Sequence, residues 1–400
     1  MNRSQFSFAT ALVVASLVLP LAARADDTAP PPPPTEAVGS SPAPSPSPSA
    51  PAAQTEAPAS AGAGKALLLP DISFIGTLLG HASDDRRDAD RDKLTLDSFE
   101  LAFQGNIYPG MRAEAFVVND SEGTNVEEAY VNVENLGIKG LPLSGTFGRR
   151  KVPFGRVNQL HSHSWLYVVQ PYALSNLVAP ESLVGDGATV SYLAPTKQFV
   201  QLDLGLWGNA SHDPIPTPDP TVPTPSTGAG FSDRMQTARL WSAQEAFKGT
   251  LEYGASYAHG GGQTYASPAG PNVTPKIDLT GLDLTFRREG RNATRTLLRG
   301  EVIQHKQKDG AFSRTSTGYY LFADQKVSAN REYGIRYDWS EFPYSPGHVG
   351  AVSLIGTQRL TEQTYFRLQA IHGDRPGKQG FNALWFEWVW GYGPHTHNLE

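Results

Sequence analysis

The chain has 400 residues, a formal charge of −6 and no cysteine. That length leaves room for one large domain or two ordinary ones, and the missing thiols remove disulfides, thiolate metal sites and cysteine nucleophiles. The acidic balance argues against a general nucleic-acid binder. Beyond the first two dozen residues no apolar run approaches the roughly 18–20 residues that a membrane-crossing helix needs, which excludes helical membrane proteins.

Residues 1–25 read as a secretory signal. Arg3 precedes an apolar stretch from Phe8 to Leu21, and Ala23-Arg24-Ala25 supplies small residues three and one before a break at Asp26. Loss of Arg3 and Arg24 with it takes the formal charge from −6 to −8. Residues 26–64 follow as a disordered, periplasmic linker: the run Pro30–Pro34, then Ser/Pro alternation among Ala, Thr and Gly. Such a segment has too little large apolar surface to offset the entropy of folding.

From residue 65 to 400 the period becomes two. Phe99, Leu101 and Phe103 alternate with Ser98, Glu100, Ala102 and Gln104, and Leu282, Leu284 and Phe286 alternate with Asp283, Thr285 and Arg287. Tyr333, Ile335, Tyr337 and Trp339 alternate with Glu332, Gly334, Arg336 and Asp338. Each set belongs to one face of a strand. About sixteen such segments are present, near 72–80, 94–105, 110–118, 126–135, 143–151, 187–194, 198–209, 234–243, 249–259, 276–287, 293–305, 316–327, 331–340, 348–358, 363–373 and 379–392. The odd-numbered connections are expected to be long (81–93, 152–186, 210–233 and 260–275) and the even-numbered ones tight, as at Tyr108-Pro109-Gly110 and Ser328-Ala329-Asn330.

Alternating long and short connections between strands of about ten residues are the pattern of an outer-membrane barrel. Aromatic clusters at Tyr319, Tyr320 and Phe322 and at Trp385, Phe386, Trp388, Trp390 and Tyr392 suit the headgroup boundary. The fold expected is all-β: a transmembrane up-and-down antiparallel barrel of about 16 strands, integral to a bacterial outer membrane, with its lipid bilayer as first partner. A barrel of that size is wide enough for an aqueous channel. The lumen candidates are Arg112, Glu114, Glu128, Arg295, Arg299, Glu301, Arg336 and Arg367, with Glu100, Glu134, Arg150 and Asp338 beside them. Both signs are represented, so their count does not decide between anions and cations.

The most specific text is Gly148-Arg149-Arg150-Lys151-Val152-Pro153-Phe154-Gly155-Arg156, continued by Asn158-Gln159-Leu160-His161-Ser162-His163-Ser164-Trp165. Over about 94–195, with Phe99–Gly105 and Val126–Tyr130 upstream, the sequence resembles the phosphate-selective porin (porin O and P) superfamily. More distantly it is similar to sequences described as zinc-regulated outer-membrane receptors. The first resemblance implies a 16-stranded, homotrimeric passive channel whose longest connection folds inward, and makes Arg149, Arg150, Lys151 and Arg156 candidates for the constriction. Phosphate selectivity does not carry over, because no ladder of basic lumen residues is evident.

The function expected is a porin-like passive channel for small polar or ionic solutes. A closed structural or partner-binding barrel, and a metal- or substrate-binding outer-membrane component, are the alternatives. His161 and His163, spaced i, i+2, share a face in an extended segment, as do His395 and His397. No acidic residue lies close enough in sequence to complete a metal site, so solvated or hydrogen-bonded loop histidines are the default and no cofactor is expected. No nucleophile elbow or phosphate loop is present, and the cluster His161–Ser164 lacks an orienting third group, so the chain is not expected to be an enzyme.

Overall fold

In a computed structural model, sixteen antiparallel strands close into one barrel, each paired with its neighbour in sequence and the first with the last. The structure describes residues 70–86, 88, 90–121, 123–210, 227–262, 264, 273–309 and 312–394. The segments read as signal and linker, and the pair His395 and His397, lie outside them. The chain divides at Ala59 and Ser60, and every described residue belongs to the second unit.

The strands are β1 (Asp71–Ser83), β2 (Lys93–Tyr108), β3 (Met111–Asp120), β4 (Thr124–Val133), β5 (Leu143–Lys151), β6 (Val184–Leu193), β7 (Phe199–Ala210) and β8 (Phe231–Ala246). They continue as β9 (Gly249–Gly262), β10 (Lys276–Glu289), β11 (Arg295–Asp309), β12 (Phe312–Ser328), β13 (Arg331–Glu341), β14 (His348–Arg359), β15 (Tyr365–Arg375) and β16 (Lys378–Tyr392). Closure runs from Phe74 opposite Tyr392 to Ser83 opposite Ala383, so no open edge is left with unpaired backbone groups.

Burial is inverted relative to a soluble protein. On β10, Leu282 is 63% exposed while its neighbours Asp283 and Thr285 are buried, and on β13 Arg336 and Asp338 are wholly buried between exposed Ile335 and Tyr337. An apolar outer belt around a charged interior is stable only where the surroundings are hydrocarbon. Leu282→Arg, at the middle of β10, is therefore expected to cost about 2–4 kcal/mol in a lipid bilayer. Denaturant titration of the protein folded in vesicles measures this; a cost near zero would place that face in water.

Two expectations need correction. The long connections are the first, fifth, seventh and ninth, but the third (121–123), eleventh (310–311) and fifteenth (376–377) are short, and the fourth (134–142) is the longer even-numbered one. The aromatic clusters also divide between faces, because successive strand residues point oppositely. Phe386, Trp388 and Trp390 lie outward, with Phe366 stacked on Trp388 at 5.6 Å, whereas Trp385 points inward and stacks on His81 at 3.7 Å. Likewise Tyr320 and Phe322 are buried inside the barrel, while Tyr319 stacks on Trp339 outside at 5.6 Å.

Candidate functional site

The connection between β5 and β6 fills much of the lumen. Pro153 cannot extend the strand ladder, and at Gly155 the backbone takes φ +61°, a region that favours glycine. A Cβ at Gly155 would also collide with the carboxylate of Glu301 on β11. The corner Pro153-Phe154-Gly155 thus reaches across to the far wall. Gly155 N donates to Ser256 Oγ on β9 at 3.0 Å, and Val157 N and Arg156 N donate to Glu301 at 3.0 and 3.3 Å.

Two single turns of 3₁₀ helix, Val157–Gln159 and Ser162–Ser164, and one short helix α1 (Tyr172–Leu177) follow. Asn158 clamps the two ends of the segment together. Its Nδ2 donates to Val152 O and Leu183 O, and its Oδ1 accepts from Leu183 N at 2.7 Å. Val152, Phe154, Val157, Leu160, Leu174 and Leu177 then form an apolar core inside the barrel, an arrangement that strand alternation alone does not produce.

Wall side chains pin the rest of the segment. Gln369 Oε1 accepts from Val168 N and Val169 N at 2.8 and 3.0 Å. Arg336 donates to Val169 O at 2.6 Å and lies over the Tyr167 ring at 4.4 Å, while forming an ion pair with Asp338 at 2.7 Å. Arg367 pairs with Glu387 at 2.7 Å and donates to Tyr167 O at 3.3 Å. Arg299 donates to Thr285 Oγ1 at 3.1 Å, and Arg295 sits 3.6 Å from both Asp324 and Glu332. The candidates Arg295, Arg299, Glu301, Arg336 and Arg367 all point into the barrel, and all are buried.

At the root of the segment lies a second polar cluster. Phe116 pairs with Glu128 and Val117 with Val126, so Glu127 is the extra residue of a β-bulge, and two successive carboxylates reach the same neighbours. His161 Nδ1 lies 2.9 Å from Glu100 Oε2 and 3.2 Å from Glu127 Oε2, and Nε2 lies 2.7 Å from Glu128 Oε2. Lys151 Nζ contacts Glu127 Oε1 at 2.8 Å and donates to Leu160 O at 3.1 Å. Burial opposes a charge on His161, but the carboxylates of Glu127 and Glu100 outweigh it against the opposition of Lys151 and hold the imidazole well above its ordinary pKa.

A third group remains partly exposed. Arg112 Nε donates to Glu114 Oε1 at 2.9 Å, and Tyr130 OH donates to Glu114 Oε2 at 2.9 Å. Arg150 lies 5.4 Å from the Tyr130 ring centroid and donates to Thr146 Oγ1 at 3.1 Å. The constriction candidates therefore separate: Arg150 stands on the wall with Arg112 and Glu114, while Lys151 and Glu128 belong to the histidine cluster. Arg149 takes the opposite face, opposite Ala129, and pairs with Asp186 at 3.0 Å. Arg156 is held through its backbone at Glu301.

Sequence reasoning missed the assembly of Glu100 and Glu127 around His161. The adjacent carboxylates Glu127-Glu128 in a strand of period two were the available signal, because a bulge is what brings both to one side.

No family model matches the chain. It is 23% identical over 286 residues to an uncharacterized protein of Aquifex aeolicus, a match covering 65% of this chain and 57% of that protein. The chain thus spans a little over half the length of the curated relative it matches. Among solved structures it is similar to the anion-selective porin from Comamonas acidovorans, at 13% identity and TM-score 0.54 over 80% of this chain and 98% of that one. It is similar to the outer membrane channel DcaP of Acinetobacter baumannii at 14% identity and TM-score 0.51, over 82% and 98%. A loop-deleted form of the Vibrio cholerae outer membrane protein OmpT matches at 10% identity and TM-score 0.53, over 81% and 99%. At such identities the likeness is one of fold: the antiparallel porin-type barrel.

Proposed function

We propose that this protein is a passive channel of porin type in a bacterial outer membrane, conducting small polar or ionic solutes past an in-turned segment that narrows the lumen. The observation that carries the reading is a closed barrel, apolar outside and charged inside, with one wall of charges still reached by water. The in-turned segment between 152 and 183 covers Glu301 of β11 and the arginines Arg336 of β13 and Arg367 of β15. On the inner wall Arg112, Glu114 and Arg150 stay partly exposed, as does Arg156 on the segment itself, and these four are the residues assigned to the solute path. Charges select ions where a pore is narrow, and this wall carries two arginines to one glutamate.

The same reading places residues 26–64 in the periplasm after removal of 1–25, and takes a homotrimer as the assembly. These rest on the composition of the N-terminal region and on the resemblance to the phosphate-selective porin superfamily.

Conductance across a planar bilayer under a salt gradient tests the reading. The refolded protein is expected to give discrete steps with a reversal potential on the anion side, shifted toward cations in Arg150→Ala. A folded barrel without steps would instead support a closed structural barrel.

A further inference from the structure

We propose that Glu100, Glu127, His161 and His163 form a site for one divalent transition-metal ion, with Zn²⁺ as the ion the donor set suits best. The site stands at the root of the in-turned segment, between β2 and β4.

Glu100, His161 and His163 are all buried, and each offers one ligand atom within 4.8 Å of the others. Ligand bonds of about 2.0–2.2 Å in tetrahedral geometry separate donors by roughly 3.3–3.6 Å. Here Glu100 Oε2 is 2.9 Å from His161 Nδ1 and 3.9 Å from His163 Nδ1. Glu127 Oε2 is 3.2 Å from the same His161 Nδ1, which makes it the nearby carboxylate that supplies the fourth ligand in this proposal.

The surroundings match what holds a metal-bound imidazole. Glu128 takes the opposite ring nitrogen of His161 at 2.7 Å, the carboxylate-behind-histidine arrangement that fixes the tautomer and leaves Nδ1 toward the ion. Lys151 holds Oε1 of Glu127 at 2.8 Å and directs Oε2 inward. Phe116 packs on the His161 ring at 5.0 Å and keeps that side apolar. Three carboxylates face one ammonium, so once the incoming ion displaces the proton of His161 Nδ1 to solvent the cluster carries two net negative charges, which a divalent ion neutralises. Two imidazole nitrogens select zinc, nickel or cobalt over calcium and magnesium, which take oxygen shells. An ion here ties both histidines of the segment to strands β2 and β4, and locks the segment at its root.

The test uses the full-length protein refolded in detergent, titrated with Zn²⁺ against a chromophoric chelator. One equivalent is expected to bind per chain, undisturbed by excess Ca²⁺ or Mg²⁺ and by His395→Gln/His397→Gln. His163→Gln and Glu100→Gln, each checked for a heat-modifiable folded band, are expected to abolish stoichiometric binding. Glu128→Gln is expected to weaken it about 10-fold or more. Co²⁺ added to the unaltered protein is expected to give the intense visible bands of a tetrahedral site, a readout that needs no variant to fold. No saturable Zn²⁺ binding, equal affinity in folded His163→Gln and Glu100→Gln, or six-coordinate cobalt spectra would each overturn the proposal. None of these readouts depends on whether the barrel conducts.

Discussion

Replacing Phe154–Glu181 by a short Gly/Ser linker is expected to raise single-channel conductance several-fold while leaving a folded barrel. The ends of the segment already meet, because Val152 N donates to Leu183 O at 2.8 Å, so the linker has almost no distance to span. The strand ladders do not pass through the segment, and barrel stability in a bilayer rests on closure of that ladder. The wall side chains that the excision uncovers, such as Arg336, Arg367, Glu301 and Gln369, exchange protein partners for water rather than for hydrocarbon. A 16-stranded wall without an inward segment encloses a wide aqueous path. Planar-bilayer recordings of the deletion, with the folded state checked by heat modifiability, measure the effect. An unchanged conductance in a folded deletion variant would mean that the segment does not limit the pore.

Arg336→Met is expected to destabilise the protein by about 3–5 kcal/mol, because it leaves a buried carboxylate without its counter-charge. Arg336 and Asp338 are both fully buried. The arginine serves three groups at once: Asp338, Val169 O and the Tyr167 ring. It therefore fastens the in-turned segment to β13 as well as neutralising the wall. Asp338 keeps only the long contact from Tyr172 N at 3.3 Å, too little to hold a desolvated charge. Adding Asp338→Leu is expected to recover most of the loss, since an apolar replacement of both partners removes the stranded charge. Tryptophan fluorescence during denaturant unfolding in detergent gives both values. A single-mutant cost below about 1 kcal/mol, typical of solvated pairs, would show that water reaches the site.

Much of the architecture was legible because a barrel repeats one simple rule. Leu282, Asp283, Leu284 and Thr285 alternate, and the structure puts the leucines outside and the polar pair inside. Each strand carries that signal independently, so sixteen segments could be read in order without knowing how any two pair. The rule also shows where the reading went astray. Tyr319 and Tyr320 are both aromatic, yet adjacent strand residues take opposite faces, and only Tyr319 reaches the outside. The interior was less legible because lumen charges look alike in sequence. Arg150 and Arg336 both sit on inward faces, but one is partly exposed and the other is sealed under Tyr167. That difference is made by a segment far away in the chain.

By itself, the sequence determined the all-β barrel and the order of its strands, while the inward turn of the longest connection was implied by the resemblance to a porin superfamily. The physical reason is local: period-two hydrophobicity is set within each strand and needs no knowledge of its neighbours. Tertiary structure alone decided which charges that connection covers and what surrounds His161. Glu100 lies 61 residues before His161 and Glu127 is brought inward by a bulge. No spacing along the chain could bring those carboxylates to one imidazole; closure of the barrel around the segment does.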